Sequence, residues 1–247
     1  MDGKVAIVTG AGRGIGKAIA EVYAVNGAKV IITSAVHKNE IEETALKIKG
    51  TAIIADITKE GDVKNLVDAV INQFSRIDIH VNNAARGMLF VNENYMTEPK
   101  PFWESDPNSW RMVVNTNVNG TYLMTRAVIP QMLKQRSGRI INISINLGTM
   151  KRKGFSPYGP SKAALESMSA IWTQELEGTD ITLNVLLFGG ATLREIIPPS
   201  LPEDKRNGIL KPEVIAPAAV YLASDDAAKI NGQRIISVDW DREHEII

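Results

Sequence analysis

A cluster of glycines between an apolar run and an amphipathic segment constrains this chain more than any other feature. The apolar run spans residues 4–9, the glycines are Gly10, Gly14 and Gly16, and a helical pattern follows to a stop at Gly27. Glycine permits a tight strand-to-helix turn and lets a phosphate approach backbone N–H groups at the positive end of a helix. The sequence therefore predicts a dinucleotide-binding turn after the first strand, with a plain turn as the alternative.

Strand and helix patterns alternate along the rest of the chain. Apolar runs predict strands at 29–33, 51–55, 77–81, 138–145, 181–187 and 234–238, and helical spacing predicts helices at 17–26, 39–49, 59–74, 106–136, 156–177 and 212–223. Repeated strand–helix units with short connections form a parallel sheet covered by helices on both faces. We therefore expect an α/β fold, and the length of 247 residues without a repeat or linker predicts one domain over 1–247.

Composition excludes several classes of function. The 28 basic and 28 acidic residues leave a net charge of zero, which argues against nucleic-acid and membrane-surface binding. Cysteine is absent and the three histidines are scattered, so no disulfide and no metal site are expected. No apolar run is long enough to span a bilayer, and strand-like sequence from Lys4 leaves no room for a signal peptide. These patterns predict a soluble, cytoplasmic protein.

Tyr158 and Lys162 are the most informative pair of reactive side chains. They are four residues apart in a predicted helix, so their side chains share one face. A phenol ordinarily loses its proton near pH ~10, and a nearby ammonium lowers that pKa. The pair is consistent with a proton donor and acceptor, although a solvated helix face would show the same spacing.

Other segments suggest where a substrate would lie. The irregular apolar stretch 86–105 follows a strand end, where ligand crevices form, and we interpret it as a substrate wall or else a subunit contact. A proline-rich piece within 189–211 looks like a second substrate loop. Lys151, Arg152 and Lys153 form either a solvated surface or a contact for an anionic substrate tail. Asn115, Asn117 and Asn119 lie inside a predicted helix, where asparagine is a poor helix former, which suggests that at least one of them is kept for its amide.

These motifs together resemble the short-chain dehydrogenase/reductase family over essentially the whole chain. The resemblance rests on five motifs in the expected order, namely the glycine cluster beginning at Thr9-Gly10, Asp56, the run 82–85 (Asn-Asn-Ala-Ala), Asn117-x-x-Gly120 and Tyr158-x-x-x-Lys162. The family implies a three-layer Rossmann-type doubly wound parallel sheet that binds a nicotinamide cofactor. It also implies a homodimer or homotetramer acting on a small carbonyl or alcohol substrate.

The resemblance also implies a role for each matching residue. Tyr158 would be the catalytic acid or base, Lys162 would lower its pKa and bind the nicotinamide ribose, and Asn117 would support a proton relay. The residues that the resemblance places on the cofactor are Gly10, Arg13, Gly14, Ile15, Gly16, Ser34, Asp56, Ile57, Asn83, Ala84, Ala85, Tyr158, Lys162, Gly189 and Thr192.

The chain departs from the family at the substrate-orienting serine. Counting back from Tyr158, that position is Ile145, with Ser144 one residue away. Neighbouring strand residues point to opposite faces, so Ser144 can serve only if the strand end is shifted. Losing one such donor typically costs about 10²–10³ in rate. Ser144, Asn146 or a substrate group are the candidates to replace it.

The end of the second predicted strand bears on the choice of cofactor. Ser34 stands where an NAD-specific member would usually carry an acidic residue, and its lack of charge permits a 2′-phosphate. Arg13, with His37 and Lys38 nearby, could bind that phosphate, although Ala35 replaces an arginine common in NADP-preferring members. We expect NADP, with NAD as the alternative.

Three functions are compatible with the sequence. The first is an NADP-dependent oxidoreductase that interconverts a carbonyl and a secondary alcohol, with Tyr158 exchanging the proton. The second is a nucleotide-binding protein with a regulatory role, which Ile145 motivates. The third is non-redox lyase or isomerase chemistry with the same tyrosine.

Overall fold

The computed structural model describes residues 1–190 and 209–243, the last three of them by backbone alone, and contains a seven-stranded parallel sheet. The strands are β1 (Val5–Thr9), β2 (Lys29–Ser34), β3 (Thr51–Ile54), β4 (Ile79–Asn82), β5 (Gly138–Ser144), β6 (Ile181–Leu187) and β7 (Arg234–Ile236). Their order is β3-β2-β1-β4-β5-β6-β7, and every neighbouring pair is parallel. This order confirms the predicted Rossmann-type doubly wound sheet.

Helices cover both faces of the sheet. They are α1 (Gly14–Val25), α2 (Lys38–Ile48), α3 (Glu60–Phe74), α4 (Pro107–Val114), α5 (Thr121–Gln135), α6 (Leu147–Met150), α7 (Tyr158–Glu175), α8 (Ala216–Ala223) and α9 (Ser237–Glu243). Helices α1, α2 and α8 pack on one face, whereas α3 and α5 pack on the other and α7 lies on β5 and β6. No helix within the described ranges is both long and apolar enough to cross a membrane.

Alternation along the central strand divides the core into two clusters. Ala6 and Val8 belong to the cluster under α1 and α8, while Val5 and Ile7 belong to the cluster under α3 and α5. All four are essentially fully buried. A strand covered on both faces needs apolar residues at successive positions, which explains the continuous apolar run in the sequence.

The chain order reverses between β1 and β4. Strands β2 and β3 extend from one side of β1, and the chain then returns through α3 to place β4 on the other side. In open α/β sheets, ligands bind outside the carboxyl ends of the strands at this switch point. The glycine turn after β1 and the residues after β4 therefore meet at one crevice.

The structure differs from the expected elements in two places. The helix expected over 106–136 begins at Pro107 after an Asp106 cap, whose Oδ2 accepts from the Ser109 amide at 2.9 Å. It contains a π-helical turn at Asn115–Gly120, which separates α4 from α5. The strand expected over 234–238 ends at Ile236 and turns into α9, which buries Trp240 with its ring 4.8 Å from that of Tyr221.

A buried polar chain crosses the α5 and α7 face of the sheet. His80 Nε2 lies 2.9 Å from Asn82 Oδ1, and Asn82 Nδ2 donates to Thr125 Oγ1 at 2.9 Å and to Asn142 Oδ1 at 2.8 Å. Asn142 Nδ2 then donates to Ser169 Oγ at 2.8 Å. Because both Asn82 N–H groups are donated, its oxygen accepts from a neutral His80 ring.

We expect His80 to make the protein lose stability in mild acid. Burial outweighs the hydrogen bond to Asn82 and lowers the pKa of His80 from 6.5 to about 4. As the pH is lowered from 6.5 to 4, His80 becomes protonated in the unfolded chain but stays neutral in the folded protein. The free energy of unfolding therefore decreases as the pH is lowered across this range. The loss should total about 3 kcal/mol across that window.

Urea unfolding between pH 4 and 7.5 measures this loss. A His80→Gln variant should show a shallower pH dependence than the wild type, and His37→Gln, which changes an exposed histidine, should follow the wild type. Parallel curves for the wild type and His80→Gln would contradict the prediction.

Candidate active site

The turn after β1 is held tightly against the chain that follows β4. Gly10 has φ +64°, and a Cβ there would lie 2.8 Å from Ala84 Cα. A Cβ on Gly16 would lie 2.5 Å from the Gly10 carbonyl oxygen and would also overlap the Asn83 amide. Only glycine fits these two positions without displacing backbone.

Thr9 joins the ends of β1 and β4. Its Oγ1 accepts from the backbone amides of Asn83 at 3.1 Å and Ala84 at 3.0 Å, and it donates to the Val81 carbonyl at 3.2 Å. Asn83 Nδ2 donates back to the carbonyls of Thr9 at 2.9 Å and Gly10 at 3.0 Å. Sequence reasoning gave Thr9 no role of its own, because a threonine at a strand end carries no distinctive pattern.

The crevice fits a dinucleotide. Helix α1 begins at Gly14 without a capping side chain and with no acidic residue in its first turn, so its positive end is open to an anion. Asn83 Oδ1 is buried and has no hydrogen-bond partner among the described residues, which leaves an acceptor for a ligand. Both observations agree with the predicted roles of Gly14, Ile15, Gly16 and Asn83.

An unanticipated carboxylate lies at the end of the crevice beside β2. Glu40 Oε1 lies 3.5 Å from Arg13 Nη1 and 3.2 Å from His37 Nδ1. The Ser34 hydroxyl accepts from the His37 amide at 3.2 Å. Lys38 instead pairs with Glu42 at 3.7 Å. Arg13 and His37, which were predicted to lie near a 2′-phosphate, are therefore both within reach of Glu40, which sequence reasoning missed.

Asp56 and Ile57 lie beyond the end of β3. Burial alone would raise the pKa of Asp56, but hydrogen bonds from Thr58 and the positive charges of Lys59 and Arg86 outweigh it and lower that pKa. Asp56 is therefore an ionised acceptor. A Cβ on Gly120 would lie 2.7 Å from the Ile57 side chain, so Gly120 lets the π-helical turn approach this edge.

Helix α7 places Tyr158 and Lys162 inside the protein at the carboxyl end of β5. Tyr158 is 7% exposed and Lys162 is 3% exposed, which removes the solvated-face alternative for this pair. Lys162 Nζ donates to the Ile143 carbonyl at 2.6 Å, which fixes the ammonium beside the strand end. A buried lysine requires such partners because an unpaired charge is costly to desolvate.

Asn117 ties three segments together from the π-helical turn. Its Oδ1 accepts from the Arg86 amide at 2.8 Å, and its Nδ2 donates to the Arg86 carbonyl at 3.0 Å and to Ser161 Oγ at 2.9 Å. Ser161 Oγ in turn donates to the Tyr158 carbonyl at 2.7 Å. Asn117 thus links the chain after β4 to the first turn of α7. Sequence reasoning gave Ser161 no role, because it occupies one of the unspecified positions between Tyr158 and Lys162.

The side chains of Ser144 and Ile145 lie in different surroundings at the end of β5. The Ser144 hydroxyl donates to Glu166 Oε1 at 2.5 Å, and Glu166 is held by Arg234 Nε at 3.0 Å from its Oε2. Arg234 Nη2 also donates to the Ile145 carbonyl at 3.0 Å. The Ile145 side chain packs against the apolar cluster that contains Tyr158. The catalytic role expected of Ser144 stays a prediction, and this contact with Glu166 does not support it.

An apolar cluster of side chains surrounds the Tyr158 ring. Its buried members are Met88, Tyr95, Phe155 and Tyr158, and Leu89, Val91, Met96 and Ile145 pack against them. Part of the segment 86–105 therefore lies where a substrate wall was expected. Phe102 and Trp103 of the same segment are instead exposed at 66% and 73%.

The predicted positions that remain are Gly189, Thr192 and the basic run 151–153. Gly189 lies shortly after β6 and has φ +100°. A Cβ at this position would lie 2.9 Å from Ile236 Cγ2. Thr192 lies outside the described residues. Arg152 is exposed and its guanidinium stands 5.2 Å from the centre of the Phe155 ring. Among the described side chains, those of residues 1–190 and 209–240, no group of three or more histidines, aspartates or glutamates is arranged to hold a metal ion.

Sequence comparison gives consistent relatives. The family described as short chain dehydrogenase matches residues 4–193. The 3-oxoacyl-(acyl-carrier-protein) reductase of Thermotoga maritima is 32% identical, covering 97% of both chains. The enzyme of the same name from Escherichia coli is 33% identical, covering 95% of this chain and 96% of its own.

Solved structures have the same fold. The 3-ketoacyl-(acyl-carrier-protein) reductase from Brucella melitensis, complexed with NADH, superposes with a TM-score of 0.84 at 30% identity. A metagenomic short-chain oxidoreductase in complex with NADP superposes with a TM-score of 0.78 at 25% identity. Each comparison covers 95% of this chain and 96% of the other.

Proposed function

The chain belongs to the short-chain dehydrogenase family and is an NAD(P)-dependent oxidoreductase acting on a carbonyl or secondary-alcohol group, and from that premise we propose that it reduces the ketone of 3-oxoacyl thioesters with NADPH. The observation that carries the proposal is the buried pair Tyr158 and Lys162, with Tyr158 in an apolar cluster and Lys162 held at the carboxyl end of β5. The names of the reductases to which the chain is similar support the substrate class.

The buried pair supplies the proton of the reaction. When bound, the nicotinamide supplies the hydride, which adds to the carbonyl carbon. Tyr158 gives its phenolic proton to the carbonyl oxygen, so that the product is a secondary alcohol. Lys162, held by the Ile143 carbonyl, keeps a positive charge beside the phenolate that Tyr158 becomes. Asn117 holds Arg86 and Ser161 in place and would support the return of the proton to Tyr158.

The surroundings of Tyr158 suit an acyl thioester with an anionic carrier. Met88 and Phe155 offer an apolar wall to the acyl chain. The segment 86–105 would form one substrate loop of a single domain over 1–247, whereas most of the second predicted loop, 189–211, lies outside the described residues. Lys151, Arg152 and Lys153 are exposed beside that wall, with Arg152 stacked on the Phe155 ring. Three cations there would attract the phosphates of a carrier arm.

NADP is the preferred cofactor in this proposal because a 2′-phosphate can displace Glu40 from Arg13. The Arg13–Glu40 pair is partly exposed and 3.5 Å long, and exposed pairs of this kind contribute only about 0–1 kcal/mol. Charge-assisted hydrogen bonds from a guanidinium to a phosphate are stronger. Ser34 places no negative charge against the phosphate.

Replacing Arg13 with glutamine should weaken NADPH binding by about tenfold, equivalent to one lost charge-assisted contact, and should change NADH binding by less than about threefold. Isothermal titration with both cofactors measures this difference. Arg111→Gln, which removes an exposed cation on α4, should leave both affinities unchanged. An equal loss of NADPH and NADH affinity in Arg13→Gln would contradict a role in phosphate recognition.

Oxidation of NADPH with acetoacetyl-CoA as the 3-oxoacyl probe tests the function. We expect turnover with this thioester and slower turnover with simple ketones that lack the carrier arm. Turnover confined to other ketones would reject the thioester class. Tight NADPH binding without oxidation across a panel of ketones and alcohols would favour the regulatory alternative. Substrate conversion without a net change in NADPH absorbance would favour the lyase or isomerase alternative.

The same proposal carries an expectation for the cellular location and the oligomeric state of the protein. We expect a cytoplasmic homodimer or homotetramer. Exposed apolar side chains on α5 and α7, including Tyr122, Leu133 and Ile171, support self-association through these helices. Light scattering of the purified protein gives the number of subunits.

A further inference from the structure

The isoleucine at position 145 leaves a chemical role unfilled. A ketone that accepts a hydride develops negative charge on its oxygen, and one hydrogen-bond donor aimed at that charge is typically worth about 10²–10³ in rate. Tyr158 supplies the proton that is transferred. The Ile145 side chain packs against the apolar cluster around Tyr158 and has no hydrogen-bond donor. If the protein reduces a ketone as proposed above, a second donor must face the oxygen from elsewhere.

Two hydroxyl groups close in sequence to Ile145 and Tyr158, those of Ser144 and Ser161, are committed to other partners. Ser144 donates to Glu166, which Arg234 holds in place from β7. Ser161 donates to the Tyr158 carbonyl and accepts from Asn117. Redirecting either hydroxyl would leave a buried acceptor without its donor, which costs about 1–3 kcal/mol.

Tyr95 lies in the same apolar cluster as Tyr158 and reaches it from the segment 86–105, whereas Tyr158 belongs to α7. It is 6% exposed and belongs to the four-residue cluster of Met88, Tyr95, Phe155 and Tyr158. Its ring meets the Phe155 ring edge-on, with the centroids 5.3 Å apart and the planes at 75°. This packing fixes the direction of the Tyr95 ring beside Tyr158.

The turn that carries Tyr95 is held by its own hydrogen bonds. Asn92 Nδ2 donates to the Glu98 carbonyl at 2.8 Å, while its Oδ1 accepts from the Asn94 amide at 3.1 Å. The Tyr95 amide donates to the Asn92 carbonyl at 3.2 Å, and the Glu98 amide to the Asn94 carbonyl at 2.7 Å. Such a turn positions a side chain far better than an open loop would.

We propose that Tyr95 is a second catalytic tyrosine, whose hydroxyl donates a hydrogen bond to the substrate carbonyl oxygen in place of the serine that Ile145 replaces. A carbonyl oxygen has two lone pairs and accepts from two donors at once. Tyr158 transfers its proton to that oxygen, whereas Tyr95 keeps its proton and stabilises the charge. No bond to Tyr95 is made or broken in the reaction.

The ionisation of Tyr95 agrees with this division of roles. Burial, together with the charge of a Tyr158 phenolate, raises the pKa of Tyr95 to about 12, and Arg152 opposes this rise only in part. Tyr95 therefore stays protonated at any pH at which the enzyme would work. It remains a hydrogen-bond donor even when Tyr158 has lost its proton.

Tyr95→Phe is the direct test, because it removes the hydroxyl and keeps the ring that packs on Phe155. With acetoacetyl-CoA and NADPH we expect kcat to fall by about 10²-fold or more. NADPH affinity by isothermal titration and the thermal unfolding temperature should match the wild type. Adding Ile145→Ser to Tyr95→Phe should recover at least about tenfold of kcat, because the serine restores a donor to the same oxygen. Ile145→Ser alone should not raise kcat by about tenfold or more, because Tyr95 already fills the donor position.

Several results would overturn the proposal. Turnover of Tyr95→Phe within about threefold of the wild type would show that its hydroxyl has no role in rate. A loss of about 10²-fold in Asn146→Ala instead would assign the donor to the half-buried amide after β5. A gain of tenfold or more on adding Ile145→Ser to the wild type would show that the site lacks a second donor. A protein inactive on every ketone, with or without the serine, would reject both the proposed function and this role.

Discussion

Replacing Tyr158 with phenylalanine should lower turnover of a 3-oxoacyl thioester by at least about 10³-fold, within the 10²–10⁴ range of a positioned general acid. The variant keeps the ring that packs with Met88 and Phe155, but it has no proton to give to the carbonyl oxygen. Because Tyr158 is buried, water cannot readily take its place. Single-turnover oxidation of NADPH measures the loss directly, since it separates the chemical step from product release.

A matched control distinguishes chemistry from folding in this experiment. Tyr122→Phe removes a hydroxyl from a tyrosine that is 46% exposed on α5, and it should leave kcat unchanged. NADPH affinity in Tyr158→Phe should stay within about fivefold of the wild type, because a single neutral hydrogen bond contributes about 1 kcal/mol. Near-normal turnover by Tyr158→Phe would reject the assignment of the catalytic acid and the mechanism built on it.

Replacing Gly16 with alanine should weaken NADPH binding by about 10²-fold and lower the thermal unfolding temperature, because relieving the overlap costs about 1–3 kcal/mol and moves the turn. The new Cβ would lie 2.5 Å from the Gly10 carbonyl oxygen and 2.9 Å from Ala11 Cα, both in the backbone of the turn. It would also displace the Asn83 amide, which holds the ends of β1 and β4 together. Isothermal titration and thermal unfolding report the two effects separately.

Gly61 in α3 provides the control for this substitution. A Cβ at Gly61 would have no neighbour within 4 Å, and alanine is the better helix former. Gly61→Ala should therefore leave NADPH affinity unchanged and keep or slightly raise stability. If Gly16→Ala binds NADPH as tightly as Gly61→Ala does, the turn is not the phosphate site.

The order of strands and helices could be predicted from sequence because the signals are local. Apolar runs, helical spacing and glycine positions each depend on neighbours within a few residues, and the sheet they predict is the one observed. The chemistry at Tyr158 and Lys162 was predicted on the same grounds, since four residues in a helix always bring two side chains to one face. The strand expected over 234–238 is present but ends at Ile236, because Ser237 and Trp240 join a distant part of the core.

The partner of each polar side chain depended on the tertiary structure. Arg13 was expected to be free for a phosphate, but Glu40, 27 residues away, reaches it once β2 and α2 fold beside β1. His80 has no distinguishing pattern in sequence, yet burial in the central sheet makes it neutral.

The sequence by itself determined the parallel sheet, the glycine turn and the shared face of Tyr158 and Lys162, because steric limits and periodicity act along the chain. It could also place Ile145 where the family has a serine. Only the tertiary structure decided that Ser144 donates to Glu166. It also decided that Tyr95 and Tyr158 share one apolar cluster, against which Ile145 packs. These contacts join segments far apart in sequence, and their geometry depends on how the sheet order and the two helical layers bring the segments together.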